Sequence, residues 1–331
     1  MLDPLEHLQM LKDRAAGIAS RQDALNRVRA LRFTEPGFDR DVWRDMCRQG
    51  WLSRRGRELC AVAEELGANL APEPLVAAAM VAQLLPPAGD RVVMPAWQET
   101  PGSIGLSGET ALHNGKLNGR KSFIPMAAGA DAFLVTVPGG FAVVERGAPG
   151  ALLRVETTED GGNLATLELA NAPAQWIEGD AAEALEHAIM GHCAYLLGVV
   201  ERAFTITLAD IERRERSGYR IASLEAMRHR VDDMRVQLSL TRATIENGAQ
   251  VLDTAAPLNQ KQAAVSRAKL RASDAAMVIP RTCLHLHGGI GLTDAYDITL
   301  YVRKATVMAP LYGSAAAHRR RLQAIAEATD E

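Results

Sequence analysis

The residues with the clearest chemical potential gather in the second half of this 331-residue sequence. The heptapeptide HLHGGIG (285–291) brings His285 and His287 beside Gly288, Gly289 and Gly291. Three glycines in seven residues can end a helix as a C-cap and turn. They can also let the backbone come close to a ligand, because no Cβ intervenes. The pattern is not a Rossmann or P-loop signal, since helix rather than strand precedes it and no Gly-Lys-Ser/Thr follows. A second group, RRERSGYR (213–220), includes Arg214. A guanidinium fork suits phosphate oxygens, although such a run also reads as a solvated helix end. The basic run HRRRLQ (318–323) can complement a helix end or meet anionic phosphates. Glu225 and His229 stand at i, i+4, but no second Glu/His set completes a metal site. Cys47, Cys60, Cys193 and Cys283 form no CxxC and read as buried or semi-buried thiols in a reducing cytoplasm.

These groups need a scaffold, and the chain divides into three regions. Residues 1–87 read as helical. FDRDVWRDMCRQGWL sets Phe38, Val42, Met46 and Trp51 at roughly helical spacing, and two further helices are separated at APEP (71–74). TEPGFD (34–39) reads as a helix-entry turn. Residues 88–178 are short runs rich in β-branched residues, punctuated by Asn-Gly, Pro-Gly-Gly and Asp-Gly-Gly, which predicts a small antiparallel β-domain. Residues 179–331 return to long helices. One of them carries Leu224, Met227, Val231, Met234, Leu238 and Leu240 at helical spacing, and short links imply an antiparallel bundle. The fold class is therefore α+β. A net charge of −3 gives no basic excess for nucleic acid. No apolar run of about 18 residues predicts a membrane span.

That order resembles the acyl-CoA dehydrogenase family over nearly the whole chain. The resemblance is carried by AEELGANLAPEPL (63–75) after Gly50-Trp51 and by LNGRKSFIPMAAGADAFLV (117–135). It continues in RRERSGYRIASLEAMRHRVDDM (213–234), AAVSRAKLRASDAA (263–276) and HLHGGIGLTDAYDITLYVRKA (285–305). The resemblance implies α,β-dehydrogenation of an acyl-CoA thioester, with a carboxylate base and FAD as hydride acceptor. It implies that Gly288 and Gly289 approach the ADP half of an FAD held mainly by a neighbouring subunit. His285 stands where the family usually has Gln, and Arg214 matches the arginine that contacts the FAD pyrophosphate.

Two expected parts are missing. The usual glutamate before Gly-Thr is Tyr312 in LYGS (311–314), and a phenol with a pKa of about 10 is a poor base. The other position used for that glutamate falls at Ala188, with Glu186 and His187 nearby but expected to point elsewhere. The flavin-facing Trp-Ile-Thr/Ser element becomes Phe123-Ile124-Pro125, and proline has no N–H to donate. Such asymmetry resembles the shorter subunit of heteromeric bacterial acyl-CoA dehydrogenases, some associated with steroid-derived acyl groups. The implied partners are a full-length homologue supplying the base, an acyl-CoA substrate and an electron-transfer acceptor. Two alternatives stay open: a homomeric flavoprotein using Glu186 or another acid, and a flavin-free scaffold.

Overall fold

A computed structural model describes residues 3–21, 23–106, 108–216, 224–289 and 293–330. The helical N-terminal part comprises α1 (Pro4–Ala19), α2 (Ala24–Leu31), α3 (Arg40–Arg48), α4 (Gly56–Ala68) and α5 (Leu75–Ala82). Helix α1 starts at Asp3, whose carboxylate accepts from Leu5 N at 3.3 Å, with Pro4 in the first turn. Asp39 caps α3 by accepting from Asp41 N at 2.8 Å, so TEPGFD is a helix entry as expected.

Eight strands follow: β1 (Val93–Ala96), β2 (Ala111–His113), β3 (Lys116–Pro125), β4 (Ala132–Val137), β5 (Gly140–Glu145), β6 (Ala151–Thr157), β7 (Asn163–Pro173) and β8 (Gln175–Glu178). They form two four-stranded sheets, ordered β1-β4-β5-β8 and β2-β3-β7-β6. The hairpin signals fall where strands turn: Asn114 and Gly115, both left-handed, join β2 to β3. The antiparallel expectation holds for the hairpin and meander pairs; β1 and β4 in addition pair in parallel.

The C-terminal part contains α6 (Ala182–Arg216), α7 (Leu224–Leu252), α8 (Leu258–His287), α9 (Asp297–Met308) and α10 (Ala315–Asp330). Among the apolar residues read as one face of α7, Val231, Met234 and Leu238 are buried, but Leu240 is 44% exposed. Leu240 lies two positions past Leu238, about 200° around a helix of 3.6 residues per turn. His229 is also exposed, and the side chain of Glu225 lies outside the described residues.

Helices α4 and α6 approach closely through two glycines. A Cβ at Gly67 would stand 2.0 Å from Tyr195 O, and one at Gly198 would stand 1.9 Å from Glu64 O. Ion pairs join the regions: Arg40 to Asp131 at 2.9 Å, Arg32 to Asp294 at 2.8 Å, and the buried pairs Arg27–Glu73 and Lys304–Asp160. Among the described residues no helix is long and apolar enough to cross a membrane.

Candidate active site

Position 312 lies in the turn between α9 and α10, and three buried side chains hold that turn by its carbonyls. His192 of α6 is 2.9 Å from Met308 O, Lys269 of α8 donates to Ala309 O at 2.7 Å, and His318 of α10 is 3.0 Å from Tyr312 O. Burial lowers both imidazoles to about 3, so each is a neutral donor there. The turn fixes Tyr312 in the left-handed region at φ +60°. Its ring stacks on Trp97 with centroids 6.3 Å apart and lies 4.9 Å from His192. Burial pushes the phenol well above its ordinary range, so Tyr312 fills space and supplies no base at neutral pH. Ala188, the other base position, is fully buried and carries only a methyl group.

Glu186 is equally unavailable. Its side chain is 1% exposed and takes a two-point contact from Arg321, at 2.5 and 3.0 Å. Arg321 Nε also donates to Ser266 Oγ at 2.7 Å, and Ser266 Oγ is 3.1 Å from His318 Nδ1. The carboxylate thus braces the turn that carries Tyr312. The basic run 318–323 divides accordingly: Arg319 and Arg320 are exposed, while His318 and Arg321 are structural.

Lys269 faces no carboxylate among its described hydrogen-bond partners, Ser273 Oγ and Ala309 O. Burial lowers its ammonium to about 8. A lysine whose folded pKa lies below its unfolded value stabilises the fold as pH rises from the folded to the unfolded pKa. Unfolding free energy should therefore climb by about 3 kcal/mol between pH 8 and 10.5 relative to Lys269→Met. Ala309 O keeps Ser273 as donor in that variant. Parallel pH profiles of urea midpoints for the two proteins would contradict this assignment.

The turn faces a cavity of about 80 Å³ between the three regions, lined by Pro125 and Met126 after β3, His192 and Tyr195 of α6, and Leu311 and Tyr312. Glu73, Asp160 and Lys304 also reach it. Ligand pockets run to about 300–1,000 Å³, so the space beside Tyr312 and the Phe123–Pro125 element does not fit an isoalloxazine ring plus a thioester. A separate cleft of about 710 Å³ lies between the Thr100–Leu106 loop and the start of α10, with Ser314, Arg320 and Arg321 on its wall.

The glycine end is different. Helix α8 finishes at His287, and Gly288 caps it at φ +71°, ψ −158°, a conformation essentially confined to glycine. The helix-stop reading therefore explains Gly288. It does not explain Gly289, whose φ is not left-handed and whose added Cβ would meet nothing within 4 Å among the described residues. Both glycines are exposed, as is His285 one turn earlier; Gly291 lies outside the described residues. Arg214 reaches the same end. Its Nη1 donates to Leu286 O at 3.3 Å, its Nη2 to His287 O at 2.9 Å, and Nη2 lies 2.6 Å from Asp210 Oδ2. Of five guanidinium donors, Nε–H and one Nη1–H point to no described acceptor. Arg214, Gly288 and Gly289 are thus brought together, with His285 on the exposed side of the helix. These residues fit the approach of a phosphate-bearing cofactor from outside the chain.

Comparison with known proteins agrees with this layout. The profile of the acyl-CoA dehydrogenase C-terminal domain matches residues 179–326. Acyl-CoA dehydrogenase IpdE2 of Mycolicibacterium smegmatis is 26% identical over 96% of this chain and 98% of its own. Residues 179–326 belong to the acyl-CoA dehydrogenase family, and the whole chain has its fold. Members of this family are oxidoreductases. Among solved acyl-CoA dehydrogenase folds, a variant of the Tcur3481–Tcur3483 steroid ACAD superposes with a TM-score of 0.86 at 25% identity, covering 98% of this chain and 99% of that one. The ChsE4-ChsE5 complex from Mycobacterium tuberculosis gives 0.84 at 24% identity, covering 100% and 99%.

Several residues that build the site were not singled out by sequence reading. Asp210, Lys269, His192 and Trp97 act through contacts distant in sequence. Asp210 alone carried a local signal, standing four residues before Arg214 on one helix face.

Proposed function

We propose that this chain is a cytoplasmic subunit of a heteromeric, FAD-dependent acyl-CoA dehydrogenase. A full-length homologue supplies the catalytic glutamate and the flavin-ring contacts. This chain contributes Arg214, His285, Gly288 and Gly289 to the ADP half of the partner's FAD. FAD accepts hydride when bound, and an electron-transfer acceptor reoxidises it. The observation that carries the reading is the contrast between two ends of one chain. Its own expected base position is filled by buried Tyr312 beside an 80 Å³ cavity, while a Cβ on Gly289 would meet nothing among the described residues. The steroid ACAD named above supports a bulky, steroid-derived acyl group as the substrate class.

The homomeric alternative needs Glu186 or another acid of this chain as base, and the Arg321 contact argues against Glu186. A flavin-free scaffold has no use for an open Gly289 beside a guanidinium. The deciding measurement is the flavin-to-chain ratio of the protein, alone and co-expressed with its full-length homologue. One FAD per pair in the complex, and none in the chain alone, is expected. Arg214→Ala should weaken FAD binding in the complex by about tenfold or more, the equivalent of a charged hydrogen bond, without separating the chains. One FAD per isolated chain would overturn the reading.

A further inference from the structure

Asp210 of α6 reaches both ends of the connection between α8 and α9. Its side chain is 6% exposed. Oδ1 accepts from Arg213 Nη2 at 2.6 Å and from Tyr296 OH at 3.3 Å. Oδ2 lies 2.6 Å from Arg214 Nη2, an ion pair, and 3.3 Å from His287 Nδ1, without a hydrogen bond to that nitrogen. His287 is the last residue of α8 and Tyr296 immediately precedes α9, and their rings meet edge-on with centroids 5.2 Å apart. Thr207, one turn earlier on α6, is 3.1 Å from His287 Nε2. Among the described residues, further contacts hold the later half: Arg29 donates to Ala295 O at 3.2 Å, and Arg32 and Arg303 pair with Asp294.

A helix C-terminus carries partial negative charge and favours cations. A phosphate-bearing ligand arriving at Gly288 and Gly289 therefore meets the wrong sign of field unless something reverses it. Arg214 does so, lying across the Leu286 and His287 carbonyls. A long side chain holds that pose only if tethered, and Asp210, four residues earlier on the same helix, is the tether.

We propose that Asp210 is the positioning residue of this end. It anchors Arg214, and through Arg214 the end of α8, while accepting from Tyr296 before α9, so that the Gly288–Gly289 backbone is preset for the cofactor. The inference rests on the shared-cofactor reading above and adds a residue that the reading does not require.

The test compares the complex with its full-length homologue as wild type, Asp210→Asn and Asp210→Ala. Asparagine keeps the shape and one acceptor but loses the charge. FAD dissociation constants come from flavin fluorescence. Deuterium uptake is followed in peptides covering 284–289 and 293–298, and melting temperature reports any general loss of fold. Asp210→Asn is expected to weaken FAD by about tenfold or more, the equivalent of releasing one ordered backbone residue, and to raise uptake in both peptides. Combined with Arg214→Lys it should cost little beyond the larger single effect, because both act through one guanidinium. A lower melting temperature with unchanged FAD affinity would assign Asp210 to the fold alone and overturn the proposal. Tighter FAD binding in Asp210→Asn, the result if the carboxylate merely repels phosphate, would overturn it too. If FAD gives the wild-type complex no protection at 284–289, the shared-cofactor reading itself fails and this inference with it.

Discussion

Lys304→Met should lower the unfolding free energy by about 3–5 kcal/mol, the magnitude expected when one partner of a buried pair is removed. Lys304 on α9 pairs with Asp160 on the β6–β7 turn, and their side chains are 10% and 5% exposed. Burial by itself raises the Asp160 carboxyl, but the charge and hydrogen bond of Lys304, with hydrogen bonds from Thr158 and Gly162 N, outweigh it and bring the group below its ordinary value. Burial lowers Lys304, and Asp160 more than reverses that. The pair therefore depends on both charges, and truncating the lysine leaves a carboxylate buried against the cavity. The pH dependence has a definite sign. A depressed carboxyl stabilises the fold above its unfolded pKa, and that contribution is lost as pH falls through the folded value. In Lys304→Met the stranded carboxyl instead protonates readily, so the gap between wild type and variant should narrow below about pH 5. Adding Asp160→Asn to Lys304→Met should recover much of the loss at pH 7, since no buried charge remains. Urea unfolding of wild type and the two variants at pH 7 and pH 4.5 tests this. A loss under 1 kcal/mol at pH 7 would mean that water reaches Asp160 freely.

The architecture was legible because its signals are local. Helical spacing at Phe38, Val42 and Met46, turn residues at Asn114–Gly115 and a long proline-free run through α6 each specify an element within one window of sequence. The parallel β1–β4 pair was not legible, since partner choice between strands some 40 residues apart leaves no mark on either one. Leu240 shows the limit of periodicity: a residue near the apolar stripe of α7 still turns outward. At the site, the empty base positions could be read from residue type, because neither tyrosine nor alanine can abstract a proton at neutral pH. The lock on Glu186 could not, because Arg321 lies 135 residues away. The glycine pair was ambiguous in sequence and resolves unevenly in structure. Gly288 is needed for its backbone conformation, and Gly289 is left for a close approach.

Tyr312→Glu places a carboxylate where the family resemblance locates the base, and it should still give this chain alone no dehydrogenase activity. The new side chain would enter a space of about 80 Å³ whose wall is mostly apolar. Lys304, the cation on the cavity wall, is already paired with Asp160, so the new carboxyl would be held neutral by burial. His192 is its nearest ring neighbour, but that imidazole is itself lowered to about 3 and spends Nε2 on Met308 O. The variant should therefore lose about 3 kcal/mol or more at pH 7, from lost aromatic packing and an unpaired buried acid. It should regain part of that as pH falls and the carboxyl protonates, because an acid whose folded pKa is raised destabilises the fold only above its unfolded pKa. Two controls separate the causes. Tyr312→Ala leaves a cavity and should cost about 3–5 kcal/mol at any pH near neutrality. Tyr312→Gly leaves the same cavity but relaxes the left-handed backbone at φ +60°, so it should be milder by about 1 kcal/mol. Activity is measured with a dye acceptor and acyl-CoA substrates, on the chain alone and on the complex. Turnover by isolated Tyr312→Glu would mean that this chain holds a complete flavin platform and lacks only its base. The shared-site reading would then give way to that of a homomeric enzyme inactivated at one position.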